Sequence, residues 1–389
     1  MKRKIHLVTG SRADYGLWYW LFRALRDSNK FEPAFVVTGS HLSDRFGMTV
    51  NQIRNDGFTI EAEVSCHLED NSRLGVARAL GEVTAGVATV LENSKLDLLL
   101  ILGDRYEMFA AAQAATIMGV PLVHFFGGDL TEGAFDDAMR HAMTKMSHLH
   151  FVTHSQAADR VLQMGEDPQT VFNVGSLGID GILKFPKMNR QDLEKDLGFQ
   201  FRDKNLLITF HPETISEQSP EEQIKPLLLA LEKLPQTVGL IFTLSNADPG
   251  AVTVSEKIQS FADSHENAVA VASLGSSRYL SLMSIVNGVV GNSSSGIYEA
   301  PSFKIGTVNI GDRQKGRLAA ESVLHVSNEV CAIENGLRQI LDQKFENVTN
   351  PYGDGNAAEK IVAVLEKVPD FRGLLRKKFY SLKQKAISK

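Results

Sequence analysis

Short apolar runs alternate along this chain with longer segments whose apolar positions recur every three or four residues. The short runs fall at 5–9, 34–38, 59–64, 96–102, 121–126 and 149–153, and helical spacing fills the gaps, as at 15–26, 74–91 and 108–118. Continuous apolar strands between amphipathic helices predict a parallel sheet covered on both faces. A polar, proline-containing stretch at 184–195 interrupts the pattern. It then restarts with runs at 206–210, 238–243, 268–272, 285–290, 305–310 and 323–326. The expectation is an α/β protein of two doubly wound Rossmann-like domains facing a cleft, residues 1–183 and 184–368. Residues 369–389 are basic and amphipathic, which fits a docked terminal helix better than a membrane anchor. Sheets of this kind bind ligands beyond the carboxyl ends of their strands.

Bulk composition narrows the function. The 389 residues carry a formal net charge of −5, with 22% charged and 43% hydrophobic residues, the balance of a globular enzyme. No basic block outside the tail offsets that charge, which argues against a nucleic-acid partner. Two cysteines, Cys66 and Cys331, lie far apart with no metal-type spacing, as in a reducing cytoplasm. The apolar run after Met1-Lys2-Arg3-Lys4 is too short for a signal peptide, and no run suggests a membrane span. His148, His150 and His154 have even spacings of two and four residues but straddle a helix-to-strand junction, so no metal site is expected. Phosphate-loop, dinucleotide and serine-hydrolase signatures are absent from the sequence.

The polar residues of interest follow predicted strands. Gly291-Asn292-Ser293-Ser294-Ser295-Gly296 leads from a strand toward a helix that begins near Ile297, an arrangement that offers hydroxyls, backbone N–H groups and a positive dipole end to a phosphate. Glu299, one turn on, is placed to accept hydrogen bonds from paired hydroxyls, as on a ribose; an ordinary serine-rich loop fits the same residues. Arg12, in Gly10-Ser11-Arg12-Ala13-Asp14, is a candidate diphosphate cation, or a solvated arginine in a capping region. Asp104, in Gly103-Asp104-Arg105, is a candidate base, with Arg105 beside it to hold a phosphate and its charge; a helix cap with a surface pair fits equally. Asp129, Glu132, Asp136 and Asp137 crowd behind the buried run that ends at Phe126, which is costly unless some are solvated or functional. His211-Pro212 opens the second half, the proline extending the backbone so that the imidazole can point into a cleft.

Taken together, Gly10-Ser-Arg-Ala-Asp-Tyr, Gly103-Asp-Arg, Gly127-Gly, Arg140-His-Ala-Met-Thr-Lys, His211-Pro, Gly291-Asn-Ser-Ser and Gly311-Asp-Arg-Gln-Lys-Gly-Arg resemble, in this order, the hydrolysing UDP-N-acetylglucosamine 2-epimerases of sialic-acid biosynthesis. The resemblance spans nearly the whole chain. It implies a glycosyltransferase-B-like fold, with the last helix packing back on the first domain, and a cytoplasmic homo-oligomer, dimer or tetramer, without cofactor. The implied reaction eliminates UDP to a glycal, then adds water to release N-acetylmannosamine. The family pattern puts Arg12, Arg105 and Arg313 around the diphosphate and Ser293 and Ser294 on the phosphate-binding serines, with Ser295 beside them as a further binding candidate. Glu299 falls on the ribose, His211 and Asn246 on contacts near the diphosphate, and Asp104 and Asp136 on the acid–base aspartates. One position departs: where many members carry glutamate before the glycine pair, this chain has Phe126, and Asp129 and Glu132 are the nearest substitutes. Three rivals stay open: the same reaction on a UDP- or GDP-linked diacetamido-trideoxy sugar, a glycosyltransferase of the same fold, and a catalytically dead nucleotide-sugar sensor, against which the candidates Asp104 and Asp136 argue.

Overall fold

A computed structural model of the chain describes residues 2–70, 72–131, 135–213, 218–244, 251–272 and 274–381. The chain divides into two compact units, one running to Gly181 and resuming at Gly355, the other Ile182–Asp354.

Unit 1 is built on seven parallel strands: β1 (Arg3–Thr9), β2 (Phe31–Thr38), β3 (Ile60–Val64), β4 (Leu98–Leu102), β5 (Leu122–Phe125), β6 (Leu149–Val152) and β7 (Val171–Asn173). Its helices are α1 (Arg12–Asp27), α2 (Val50–Asn55), α3 (Arg73–Asn93), α4 (Tyr106–Met118), α5 (Phe135–Met146), α6 (Ser155–Gln163) and the start of α7 (Leu177–Lys184). The strand order is β3-β2-β1-β4-β5-β6-β7. The chain therefore winds one way from β1, then returns to wind the other way from β4, and the crevice for a ligand lies at the carboxyl ends of β1 and β4. Two apolar clusters cover the sheet. Trp18, Phe22, Phe35 and Phe125 pack in one, and α4 closes the other with a nearly continuous run of buried alanines, Ala110 to Ala115.

Unit 2 repeats the plan. After α8 (Arg190–Leu197) come β8 (Lys204–Thr209), α9 (Pro220–Leu231), β9 (Val238–Thr243), α10 (Ala251–Asp263), β10 (Ala268–Val271), α11 (Gly275–Met283), β11 (Gly288–Gly291), α12 (Ser295–Tyr298), β12 (Gly306–Ile310), β13 (Val323–Val326) and α13 (Val330–Asp342). The order β10-β9-β8-β11-β12-β13 places its switch point between β8 and β11. The motifs after β1, β4, β8 and β11 therefore stand where each topology opens its crevice.

Three expectations need correction. The stretch at 184–195 is not a bare linker: Asn189 caps α8, and Leu193 is fully buried in unit 2. The return to unit 1 begins at Gly355, not at 369, because α14 (Ala357–Lys367) buries Ile361 and Leu365 in the first core. Its ends are held by opposite charges. Buried Asp180 accepts from Ala357 N and Ala358 N, each at 2.9 Å, and Arg3 donates to Val368 O and Leu365 O at 2.6 and 3.1 Å. Both charges complement the helix dipole. The tail is not a helix over its described length. After a single 3₁₀ turn at Arg372–Leu375 it runs irregularly, with Lys377 donating to Lys145 O, Ser147 O and Glu166, and Tyr380 N to Gly165 O. Those bonds take the place of a helical ladder.

Contrary to the reading that no run suggests a membrane span, α3 is long and apolar enough to cross a membrane by length and composition alone; here it packs along α4. Asp180→Ala is expected to cost about 1–2 kcal/mol, the upper range for loss of a helix cap. Hydrogen exchange should show α14 amides opening faster; unchanged protection would contradict the clamp.

Candidate active site

In unit 1 the loop after β4 places Asp104 beside Arg140 of α5, and the two form a salt bridge with side chains 24% and 9% exposed. Arg140 also donates to Thr131 Oγ1 at 2.9 Å. The neighbour expected to match Asp104, Arg105, is engaged elsewhere: its Nε and Nη2 donate to Glu107 at 3.2 and 2.7 Å. Burial works against the Arg105 charge, but the buried Glu107 carboxylate outweighs it and raises the Arg105 pKa. Much of that charge is already matched, so Arg105 is less available to a diphosphate than its position suggests. Arg12, exposed in the first turn of α1, has no such competitor among the contacts of the described residues.

Asp136, in the first turn of α5, has its pKa pushed up, first by burial and then by the charge of Asp104. Two neighbouring carboxylates thus sit in different environments, one in an ion pair with Arg140 and one with its pKa raised. Beneath them, fully buried His124 donates from Nε2 to Gly103 O at 2.8 Å, and burial pushes its pKa down to about 3, so the ring is neutral. It fixes the peptide that carries Asp104.

The loop after β5 turns sharply. Phe126 (φ 63°) and Gly128 (φ 83°) are both left-handed, a conformation rare for a bulky residue. A Cβ on Gly128 would collide with the Ala157 carbonyl, so only glycine fits there. Beyond it Asp129 pairs with His154 Nε2 at 3.0 Å, Thr131 N donates to Asp137 at 2.7 Å, and Glu132 lies outside the described residues. The three histidines of the even spacing have separate tasks: His148 accepts from Leu122 N, His150 pairs with Glu166 and His154 with Asp129. Among the described residues no group of three or more His, Cys, Asp or Glu side chains is placed to hold a metal ion.

Unit 2 is organised by Asn292. Its Oδ1 accepts from His211 N and its Nδ2 donates to His211 O, both at 2.7 Å, an amide-to-backbone pair that locks the end of β8 to the end of β11. Its carbonyl accepts from Arg313 Nη1 at 3.2 Å and Gln314 Nε2 at 2.9 Å. One buried asparagine therefore brings His211, Arg313 and the serine turn together. Gly291 (φ 129°) is required, since a Cβ would run into the Thr209 carbonyl. Ser293 Oγ accepts from Ser295 N and Oγ at 3.4 and 3.2 Å, and Tyr279 Oη bonds Ser295 Oγ from beneath. The Ser294 hydroxyl makes no cap bond. The helix expected after the serines is a single turn followed by a 3₁₀ turn, so hydroxyls and backbone N–H groups, rather than a helix dipole, are what this turn offers.

Glu299 closes the turn from below. Its Oε2 is buried without a hydrogen-bond partner, and burial pushes its pKa up to about 7. Asn246 lies outside the described residues. Sequence reasoning missed a cavity of about 650 Å³ on the β13 side of this sheet, lined by Phe210, Glu213, Gly311, Arg317, His325 and Asn328. None of Ser293, Ser294, Ser295 and Glu299 lines it.

Two doubly wound units with strand-end sites of this kind define the glycosyltransferase-B-like fold class. A crystal structure of UDP-GlcNAc 2-epimerase from Neisseria meningitidis bound to UDP-GlcNAc has the same fold, at TM-score 0.78 and 22% identity, over 94% of this chain and 100% of that one. Residues 23–366 match the UDP-N-acetylglucosamine 2-epimerase family. The Escherichia coli polysialic acid biosynthesis protein P7 is 36% identical over 98% of each chain. The Campylobacter jejuni GDP/UDP-N,N'-diacetylbacillosamine 2-epimerase (hydrolyzing) is 37% identical over 89% of each. The chain belongs to the UDP-N-acetylglucosamine 2-epimerase family.

Glu299 makes a testable case. Its folded pKa lies above the ordinary 4.5, so the unfolded chain loses the proton first and burial penalises only the charged form. The penalty is absent below about pH 4.5 and complete above about pH 7. Glu299→Gln is therefore expected to raise the unfolding midpoint at pH 8 and not at pH 4; an equal effect at both would contradict the assignment.

Proposed function

We propose that the protein is a hydrolysing nucleotide-sugar 2-epimerase, converting UDP-N-acetylglucosamine and water to N-acetylmannosamine and UDP. The observation that carries this reading is the carboxylate pair of unit 1: Asp104 with its charge matched by Arg140, and Asp136 pushed up by burial and by Asp104. Proton removal from a weakly acidic carbon needs a positioned base, and reprotonation from the other face needs a second group that holds a proton. Binding alone requires neither.

In the reaction, Asp104 takes the C2 proton, the C2–H electron pair forms the C1=C2 bond, and the C1–O bond breaks with its electrons on departing UDP. Asp136 then returns a proton to C2 on the opposite face, and water adds its oxygen to C1. The water's remaining proton goes to a further base, and one proton per turnover reaches solvent, since free UDP carries one more negative charge than its sugar ester. Unit 2 supplies the nucleotide groups of this reading. Ser293, Ser294 and Arg313 donate to the diphosphate, Glu299 accepts from the ribose hydroxyls, and His211 and Asn246 add polar contacts. Arg12 and, with less of its charge free, Arg105 complete the leaving-group cations, the preorganised charge that a departing diphosphate requires. The reading includes a homo-oligomer in the cytoplasm.

A second reading keeps the reaction and changes the sugar to a diacetamido-trideoxy one. The similarity to a diacetylbacillosamine epimerase favours it, as does apolar Phe126 where many family members carry glutamate. Purified protein given UDP-N-acetylglucosamine should release UDP and N-acetylmannosamine with no added acceptor. Faster turnover of UDP-N,N'-diacetylbacillosamine would favour the second reading, and release that requires an acceptor sugar would contradict both. Asp104→Asn is expected to lower kcat at least about a hundredfold while UDP still binds by calorimetry. Undiminished turnover would remove Asp104 from the chemistry.

A further inference from the structure

Phe126 cannot move a proton, yet the loop it begins presents a carboxylate in a setting that suits one. The left-handed turns at Phe126 and Gly128 carry the chain from the end of β5 to the end of β6. Phe126 N donates to Phe151 O at 3.1 Å, and Arg160 of α6 donates to Gly128 O at 2.9 Å. These contacts deliver Asp129 to Thr153 and His154. Asp129 Oδ1 lies 3.0 Å from His154 Nε2 and makes a long 3.5 Å contact with Thr153 Oγ1.

The tautomer of His154 follows from its other nitrogen. Nδ1 accepts from Ala157 N at 3.2 Å, as the N-cap of α6. A ring nitrogen that accepts carries no hydrogen, so the neutral ring carries its proton on Nε2, where it donates to Asp129. Protonating Nδ1 would break the cap. His154 is therefore suited to orienting a carboxylate and poorly suited to exchanging protons itself. The histidine side chain is 10% exposed and the aspartate 30%, so the pair is anchored on one side and open on the other.

On the proposed 2-epimerase reading, we infer that Asp129 is the base that accepts the proton of the water adding to C1, with His154 as its positioning residue. The water oxygen forms the bond to C1, one of its hydrogens stays as the new hydroxyl, and the other goes to the Asp129 oxygen not engaged by His154. That proton is the one lost to solvent at the end of the cycle. The assignment supplies the group left open by Phe126 from residues beyond the glycine pair.

The test uses the full chain with UDP-N-acetylglucosamine and UDP-N,N'-diacetylbacillosamine, following UDP release, UDP affinity by calorimetry and the thermal midpoint. Asp129→Asn should lower kcat at least about a hundredfold, with KM changed less than about threefold. His154→Asn keeps a good N-cap residue but loses the reach to Asp129. It should lower kcat about tenfold, as loss of orientation does, with UDP affinity and midpoint unchanged. His154→Gln, whose longer amide can still donate, should recover at least half of the lost rate. Asp129→Asn retaining more than half of wild-type kcat would overturn the inference alone, as would His154→Asn losing rate only in step with its midpoint. A wild-type protein that releases UDP from neither substrate would overturn the underlying reading and this inference with it.

Discussion

The salt bridge between Asp104 and Arg140 is the contact around which the strand-end residues of unit 1 are arranged. It joins the loop after β4 to the middle of α5 and gives the aspartate charge a partner at a partly buried position. An unpaired carboxylate at a partly buried position would carry a desolvation cost that this pairing offsets. The same charge acts on Asp136 a turn earlier in α5, helping burial to raise its pKa. One aspartate is thereby held in an ion pair while the other has its pKa raised. His124, neutral and fully buried, holds the Gly103 carbonyl and so fixes the backbone from which Asp104 projects.

Unit 2 depends on a neutral counterpart. Asn292 uses its amide twice on the His211 backbone and its own carbonyl twice on the side chains of Arg313 and Gln314. One buried polar atom of the turn, Glu299 Oε2, has no hydrogen-bond partner, and the Ser294 hydroxyl is not spent on capping α12. Groups held in place but left unsatisfied are what a binding site offers a polar ligand.

Much of the architecture was legible because strand runs and helical periodicity are local signals. The strand-end positions of Gly10-Ser11-Arg12, Gly103-Asp104, His211 and Asn292 then followed from how doubly wound sheets bind ligands. Partnerships were not legible. Arg140 is separated from Asp104 by a helix and a strand, and nothing in Asp104-Arg105-Tyr106-Glu107 announces that Arg105 turns to Glu107 instead. Asp180 and α14 meet only after unit 2 has been traversed, so no window of sequence contains both. The tail misled because its amphipathic spacing matches a helix, while Lys377 and Tyr380 form their bonds with unit 1. The short α12 misled for the opposite reason: Pro301 sits where the next turn would need an N–H. His154 carries one usable signal beyond its place in the spaced trio, a histidine just before Ser155-Gln156 where a helix cap belongs.

The central claim is that carboxylates on unit 1 remove and replace the hydrogen at C2 of a nucleotide-linked sugar. Its most direct test is turnover of UDP-N-acetylglucosamine in deuterium oxide, with the released sugar examined by proton NMR. The account predicts free UDP and N-acetylmannosamine carrying one deuterium at C2. A released sugar that keeps protium at C2, or that keeps the gluco configuration, would contradict it.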